Sequence, residues 1–224
     1  MVDKNCHVFC DLFAGTGIVG AYFKKKGYSI IANDIQYYSF VLNKQYIENH
    51  EHLELKTAQT PFMLKPAEMI INDQKHQVFN EDINELASKI EGDILYLDPP
   101  YNHRQYATNY HLLETVAKYD NPKIHGKTGL REYENQKSLY CSRTKVKKAF
   151  ADLILKAKAK YIFLSYNNEG LMTLDDIKEI MSQRGKYGHF TKDYNRFKAD
   201  KTENRDYKAT KTVEYLHYVV CENV

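Results

Sequence analysis

Four short apolar runs in the first half of the chain each stop at residues that cannot extend a strand. Residues 8–13 run into Gly15-Thr16-Gly17, and residues 28–32 close on Asn33-Asp34. Residues 76–79 end near Asp82, and residues 93–97 meet Asp98-Pro99-Pro100-Tyr101. Helical spacing fills the gaps at 18–26, 37–49 and 83–90, with Gly27 ending the first helix. Strands that alternate with helices predict an α/β fold with a doubly wound, mostly parallel sheet. Ligands bind such sheets at the carboxyl ends of the strands. All four polar endings fall at that edge.

The last ending is the most restrictive. Proline donates no N–H, and each ring fixes its own φ and biases the preceding residue towards extended geometry. The carbonyls of Asp98 and Pro99 are therefore released from the sheet ladder, with the Tyr101 ring beside them. Two acceptors and a stacking ring suit a planar, amino-bearing group such as a nucleobase, although a Pro-rich turn with a core tyrosine fits the same residues. At the first ending, glycines let the backbone approach a ligand closely, and the helix beyond offers free N–H groups at its positive end. Gly15, Gly17 and Gly20 satisfy G-x-G-x-x-G, with Asp34 close to the expected ribose-binding acid. That pattern fits a nicotinamide cofactor as well as any other adenosine cofactor. Asp82 is either a third cofactor contact or a plain helix cap.

The pattern loosens after Asn102. A helix over 106–118, a mobile loop marked by Gly126 and Gly129, and a helix over 145–159 lead to a strand at 161–165. A turn at 167–170 precedes a helix over 174–184, for which Thr173 is the N-cap. Two strands, 189–197 and 212–220, joined by a polar loop at 198–211, predict a C-terminal antiparallel hairpin. Residues 50–75, interrupted by Pro61 and Pro66, hold one short helix. The expected organisation is one domain in two halves, 1–101 and 151–224, with a small inserted lobe at 102–150.

The net charge of +3 conceals an asymmetry. Residues 1–101 hold 9 Lys+Arg against 14 Asp+Glu, whereas 102–150 hold 10 against 4. Tyr106, Tyr110, Tyr119, Tyr133 and Tyr140 are interleaved with that positive charge. A basic, tyrosine-rich lobe is the footprint of a polyanion-binding surface, with nucleic acid the favoured partner. A solvated lysine-rich face is the plainer alternative. The four cysteines, Cys6, Cys10, Cys141 and Cys221, show no C-x-x-C spacing and are expected as free thiols. No apolar run nears the ~20 residues of a membrane span. The expectation is a cytoplasmic protein without a membrane segment or a metal.

Taken together, three motifs carry a family resemblance: Asp11-Leu12-Phe13-Ala14-Gly15-Thr16-Gly17, then Asn33-Asp34-Ile35, then Leu97-Asp98-Pro99-Pro100-Tyr101. In that order they resemble the Dam-like adenine-N6 DNA methyltransferases, and the resemblance covers nearly the whole chain. Residues 102–111, 165–170 and 211–216 are similar to a branch found in restriction–modification systems. The resemblance implies a Rossmann-like methyltransferase sheet with S-adenosylmethionine as cofactor. Asp11, Phe13, Ala14, Gly15, Thr16 and Gly17 would hold it, and Asp34, followed by Ile35, would bind its ribose. Asp82 and Ile83 would meet its adenine ring. Asp98 and the Pro99 carbonyl would accept hydrogen bonds from the target N6 amino group, with Pro100 completing the turn and Tyr101 stacking on the flipped base. Residues 102–150, including Arg104 and Tyr106, would recognise duplex DNA. Lys198, Lys201 and Arg205 would flank the pocket or the phosphates, placing the protein on the nucleoid when bound.

Members of this class usually carry a Gly- and Lys-containing segment upstream of the glycine turn, and none of the residues before Asp11 resembles it. That segment is expected from a longer reading frame or a second polypeptide, or else the cofactor site is weakened. A ribosomal RNA methyltransferase shares the glycine turn and a DPP-aromatic motif. A non-catalytic nucleic-acid-binding fragment is the other alternative. A nicotinamide dehydrogenase leaves the DPPY stretch and the basic lobe without a role.

Overall fold

The structure, a computed structural model, describes residues 2–49, 69–195 and 211–222. In the first half β1 (Val8–Asp11), α1 (Ile18–Lys25), β2 (Ser29–Asn33), α2 (Tyr37–Asn43), β3 (Gln77–Phe79), α3 (Ile83–Leu86) and β4 (Gly92–Leu97) follow in turn. The segment expected as the lobe holds α4 (Tyr106–Asn109), α5 (His111–Lys118) and a ribbon of β5 (Ile124–His125) and β6 (Leu130–Arg131). Then come α6 (Val146–Lys156), β7 (Ala159–Asn167), α7 (Leu174–Ser182), β8 (Gly185–Asn195) and β9 (Lys211–Cys221). Seven strands form one sheet in the order β3-β2-β1-β4-β7-β9-β8. The first five in that order run parallel, and β9 inserts antiparallel between β7 and β8. The chain thus starts at the centre, moves outwards, and returns to the other side of β1. This reversal of direction beside β1 opens the crevice in which such sheets hold ligands.

Each face of the sheet is covered by residues at helical spacing. Val146, Ala149, Phe150, Leu153 and Ile154 form the buried stripe of α6, the three-and-four spacing of an amphipathic helix. They pack with Leu95, Leu97, Ile162, Leu164 and α7's Ile177 and Met181. Each of these side chains except Ala149 contributes about 1.5–3 kcal/mol before entropy is charged against it. On the other face Phe23 of α1 stacks on Phe9 of β1 at 3.8 Å between centroids. Lys24 is fully buried beside it, and its ammonium donates to the carbonyls of Tyr46, Ile47 and Asn49. It thereby caps the π-helical turn Lys44–Glu48 that prolongs α2.

The predicted elements differ from the structure mainly where side chains compete for the backbone. The helix expected over 106–118 breaks at Tyr110, whose φ of −111° and ψ of 18° leave the helical region. The helix expected over 83–90 stops at Leu86, after which Ser88 bonds the Glu85 carbonyl. The loop marked by Gly126 and Gly129 is the turn of the β5–β6 ribbon, and both glycines have positive φ there, 68° and 66°. Thr173 caps α7 as expected, in a reciprocal box with Asp176. The four cysteines are free. The short helix expected within 50–75 falls largely outside the described residues, as does the 198–211 loop with Lys198, Lys201 and Arg205. Among the described residues no helix is long and apolar enough to cross a membrane.

Candidate active site

A cavity of about 340 Å³ opens at the carboxyl ends of β1, β2, β3 and β4. Its floor is the glycine turn. Gly15 and Gly17 adopt φ of 52° and 78°, the left-handed region that glycine enters without a Cβ penalty. Asp34 folds back over this turn. One carboxylate oxygen accepts the Gly15 N–H and the other the Gln36 N–H, each at 2.8 Å. An ionised carboxylate has about four acceptor sites, so Asp34 keeps capacity for ligand hydroxyls. The buried Asn33 fixes this corner, donating to the carbonyls of Leu12 and Glu81 while its own oxygen accepts the Glu81 N–H at 3.0 Å. One amide therefore ties three strand ends together.

On the far wall Asp82 is a helix cap that also faces the cavity. Its carboxylate caps α3 through the N–H groups of Asn84 and Glu85, and the same residue lines the cavity with Ile83. Phe13 meets Tyr140 of the lobe edge to face at 5.2 Å, and the Tyr140 hydroxyl donates to Asn84 at 3.1 Å. The lobe closes the remaining side with Gln105, Tyr106, Tyr110 and Gln136. Tyr110 bridges Tyr38 and Tyr106, with ring centroids 5.5 and 6.0 Å apart.

Asp98 stands at the mouth. Pro99 and Pro100 are buried behind it, and Tyr101 is 38 % exposed. Although Asp98 is reached by solvent, the surrounding protein displaces enough water to push its carboxyl up to about 6, and Glu214 adds repulsion. Glu214 comes from β9, where it pairs with Asn167; its charge also acts on Tyr101. Deeper in, burial raises Asp11 to about 7, with the charges of Asp34 and Asp98 contributing and the Gly20 N–H opposing. Asp34 is raised to about 6 by burial, against its two backbone hydrogen bonds. So many crowded, poorly solvated carboxyls favour a ligand that brings positive charge.

The cavity gathers Phe13, Gly15, Thr16, Asp34, Ile35, Asp82, Ile83, Asp98, Pro100 and Tyr106 from the residues singled out in the sequence. Asp11, Ala14 and Gly17 lie outside the lining: Asp11 is buried, and Gly17 bonds Ala14 to shape the turn. Pro99 and Tyr101 flank Asp98 without lining the cavity, and Arg104 is exposed on the adjoining loop. Four residues carry weight that sequence reasoning did not assign: Asn33, Gln36, Glu114 and Glu214. Only Asn33 had a local signal, its place at a strand's end.

A sheet of this order, with glycine turn, two acids and the DPPY carboxylate converging on one cavity, defines a Rossmann-like S-adenosylmethionine-dependent methyltransferase. The fold is similar to that of the TehB crystal structure from Haemophilus influenzae, with a TM-score of 0.50 at 12% identity, over 98% of this chain and 59% of that one. The family model for D12 class N6 adenine-specific DNA methyltransferases matches residues 1–66 and 55–180, and the chain belongs to that family. It is 39% identical to the type II methyltransferase M.NlaIII of Neisseria lactamica over 301 aligned residues, 94% of this chain and 90% of that protein. Against M.FokI of Planomicrobium okeanokoites it is 31% identical over 322, covering 97% of this chain but about half, 49%, of the relative. Both alignments run longer than this chain's 224 residues, so each relative carries additional residues inside the matched region.

Proposed function

We propose that the chain methylates N6 of an adenine flipped out of duplex DNA, using the cavity to hold S-adenosylmethionine and the Asp98–Tyr101 stretch to hold the base. The observation that carries this reading is that Asp98 opens into the same cavity as Gly15, Asp34 and Asp82. The residues suit the donor. Asp34 has acceptor capacity left for ribose hydroxyls, Ile35 and Ile83 offer apolar flanks for a ring, and the Gln36 side-chain oxygen is buried without a partner among the described residues. The acids complement a cation. When bound, the donor supplies an electrophilic methyl group on a sulfonium.

The rest is done by the chain. An amino group conjugated to a purine is a weak nucleophile because its lone pair is delocalised into the ring. Asp98 and the Pro99 carbonyl accept its two N–H groups and favour a pyramidal nitrogen with an available lone pair, so that catalysis rests on positioning and charge placement. Asp98 then receives the proton that the amine must shed. Tyr101 replaces part of the stacking lost on flipping. The lobe at 102–150, with Arg104 and Tyr106 nearest the mouth, faces the duplex. Lys198, Lys201 and Arg205 are assigned to its phosphates on composition alone.

Duplex DNA and structured RNA offered together with methyl-labelled donor test this reading. Label recovered as N6-methyladenine from DNA supports it, and transfer by the chain alone makes a second polypeptide unnecessary. Label in RNA alone selects the ribosomal RNA alternative, and binding without transfer selects the non-catalytic one.

The raised Asp98 carboxyl sets a pH dependence. It accepts best when ionised, so kcat/KM, which reports the groups of the free enzyme, should fall as pH drops through about 6. An acid limb near the ordinary value of 3.8 would mean that the Asp98 carboxyl is not raised in the working enzyme.

A further inference from the structure

We propose that Glu114 is a positioning residue that fastens the 102–150 lobe over the donor pocket. The inference rests on the donor reading of the cavity and adds a residue to it. Glu114 lies on α5, is 1 % exposed and does not line the cavity. One of its oxygens accepts the Tyr38 N–H at 3.0 Å, in the first turn of α2. The other accepts the Gln136 side-chain amide at 2.5 Å and pairs with Lys118 at 2.9 Å. Lys118 in turn sits over the Tyr37 ring at 5.8 Å.

These partners belong to opposite walls. Tyr38 lies two residues beyond Gln36, on the β2 side of the cavity with Asp34 and Ile35, whereas Gln136 ends a 3₁₀ turn of the lobe and lines the cavity from the other side. One buried carboxylate thus spans the two walls from behind. The free N–H groups of a helix's first turn attract an acid, which fixes the α2 end. The charged hydrogen bond to Gln136 fixes the lobe end, and such bonds are short and strong when buried. Losing the carboxylate leaves the Gln136 amide and the Lys118 ammonium competing for water, and the lobe wall then separates from Asp34.

A plain helix cap would lower stability and nothing else. The proposal requires a change in donor affinity beyond the loss of stability. Calorimetry with S-adenosylmethionine on folded Glu114→Ala, Glu114→Asp and Glu114→Gln separates the two, with Thr173→Ala as a control that removes a cap remote from the cavity. Glu114→Ala should weaken donor binding by about tenfold or more, the size expected for a lost charged hydrogen bond. Glu114→Asp keeps the charge but is too short to reach both walls, and should weaken it by a similar factor. In Glu114→Gln the Gln136 amide can rotate to present its oxygen, but the new amide N–H then faces the Lys118 ammonium, so affinity should recover only in part. Thr173→Ala should lower Tm with donor affinity unchanged.

Wild-type affinity in Glu114→Ala overturns the inference. If that variant does not fold, wild-type affinity in Glu114→Asp overturns it instead. Loss in Thr173→Ala equal to that in the Glu114 variants also overturns it, because stability alone would then explain both. A wild-type chain that shows no donor binding rejects the donor reading itself, and this inference with it.

Discussion

Asp98→Ala should leave S-adenosylmethionine bound and reduce methyl transfer by about 10²–10³-fold, the cost typical of removing one preorganised group that acts in the transition state. The two effects separate because the residue sits at the cavity mouth and contributes nothing to the apolar core. Its backbone is held by the two buried prolines that follow and by β4, which is paired with β1 and β7 on either side. Without the carboxylate the target amine loses the acceptor that favours a pyramidal nitrogen, whereas Asp34 and the glycine turn are untouched. Stability should hold or rise slightly. A carboxyl pushed up to about 6 by burial and by Glu214 is a repulsive group in the folded state once ionised. Asp98→Asn preserves the shape and replaces one acceptor with a donor, so it should be impaired nearly as much. Single-turnover methylation, calorimetry with the donor and thermal melting give the three readouts. Full turnover in a folded Asp98→Ala protein would remove the carboxylate from the mechanism.

How far the sequence led depended on whether a feature is local. The glycine turn was legible because positive φ at two nearby positions demands glycine. The α6 stripe and the Thr173 cap were legible because helical spacing and capping lie within a few residues of each other. Glu114 was not: its partners Tyr38 and Gln136 lie 76 and 22 residues away, and a single glutamate on a helix reads as a solvated one. Glu214 reaches the Asp98 region only because β9 inserts beside β7, a pairing that alternation of apolar residues cannot specify. The positive charge of 102–150 reads as a polyanion footprint, and the fold qualifies it. Lys118, Arg131, Lys137 and Lys147 are paired with Glu114, Asp120, Glu134 and Asp176. Arg104 and Arg143, both exposed, form no ion pair among the described residues. Charge counted along the chain overstates the field at the surface, because sequence does not reveal which cations are already neutralised.

Gly17→Val should abolish donor binding, and the reason combines backbone and packing. At φ 78° a β-branched side chain is strained, and an L-residue in this region costs about 1–2 kcal/mol before any clash. A Cβ there would also lie 2.5 Å from the Asn43 side-chain oxygen and 3.6 Å from Ile47. Asn43 cannot simply yield, since its amide donates to the Gly15 carbonyl at 3.0 Å and the Ser39 carbonyl at 2.8 Å. Moving it releases the turn from α2, and with it the Gly15 N–H that Asp34 holds. Two milder variants divide the causes. Gly15→Ala has positive φ, but its Cβ meets nothing within 4 Å, so only strain acts, at the cavity. Gly27→Ala carries the same kind of strain, at φ 89° with open space, where α1 ends. The expected order of donor affinity is Gly27→Ala equal to wild type, Gly15→Ala weakened, and Gly17→Val without measurable binding. Melting temperatures should fall in all three and furthest in Gly17→Val. Equal affinity losses in Gly15→Ala and Gly27→Ala would show that stability, and not the shape of the turn, governs the grip on the donor.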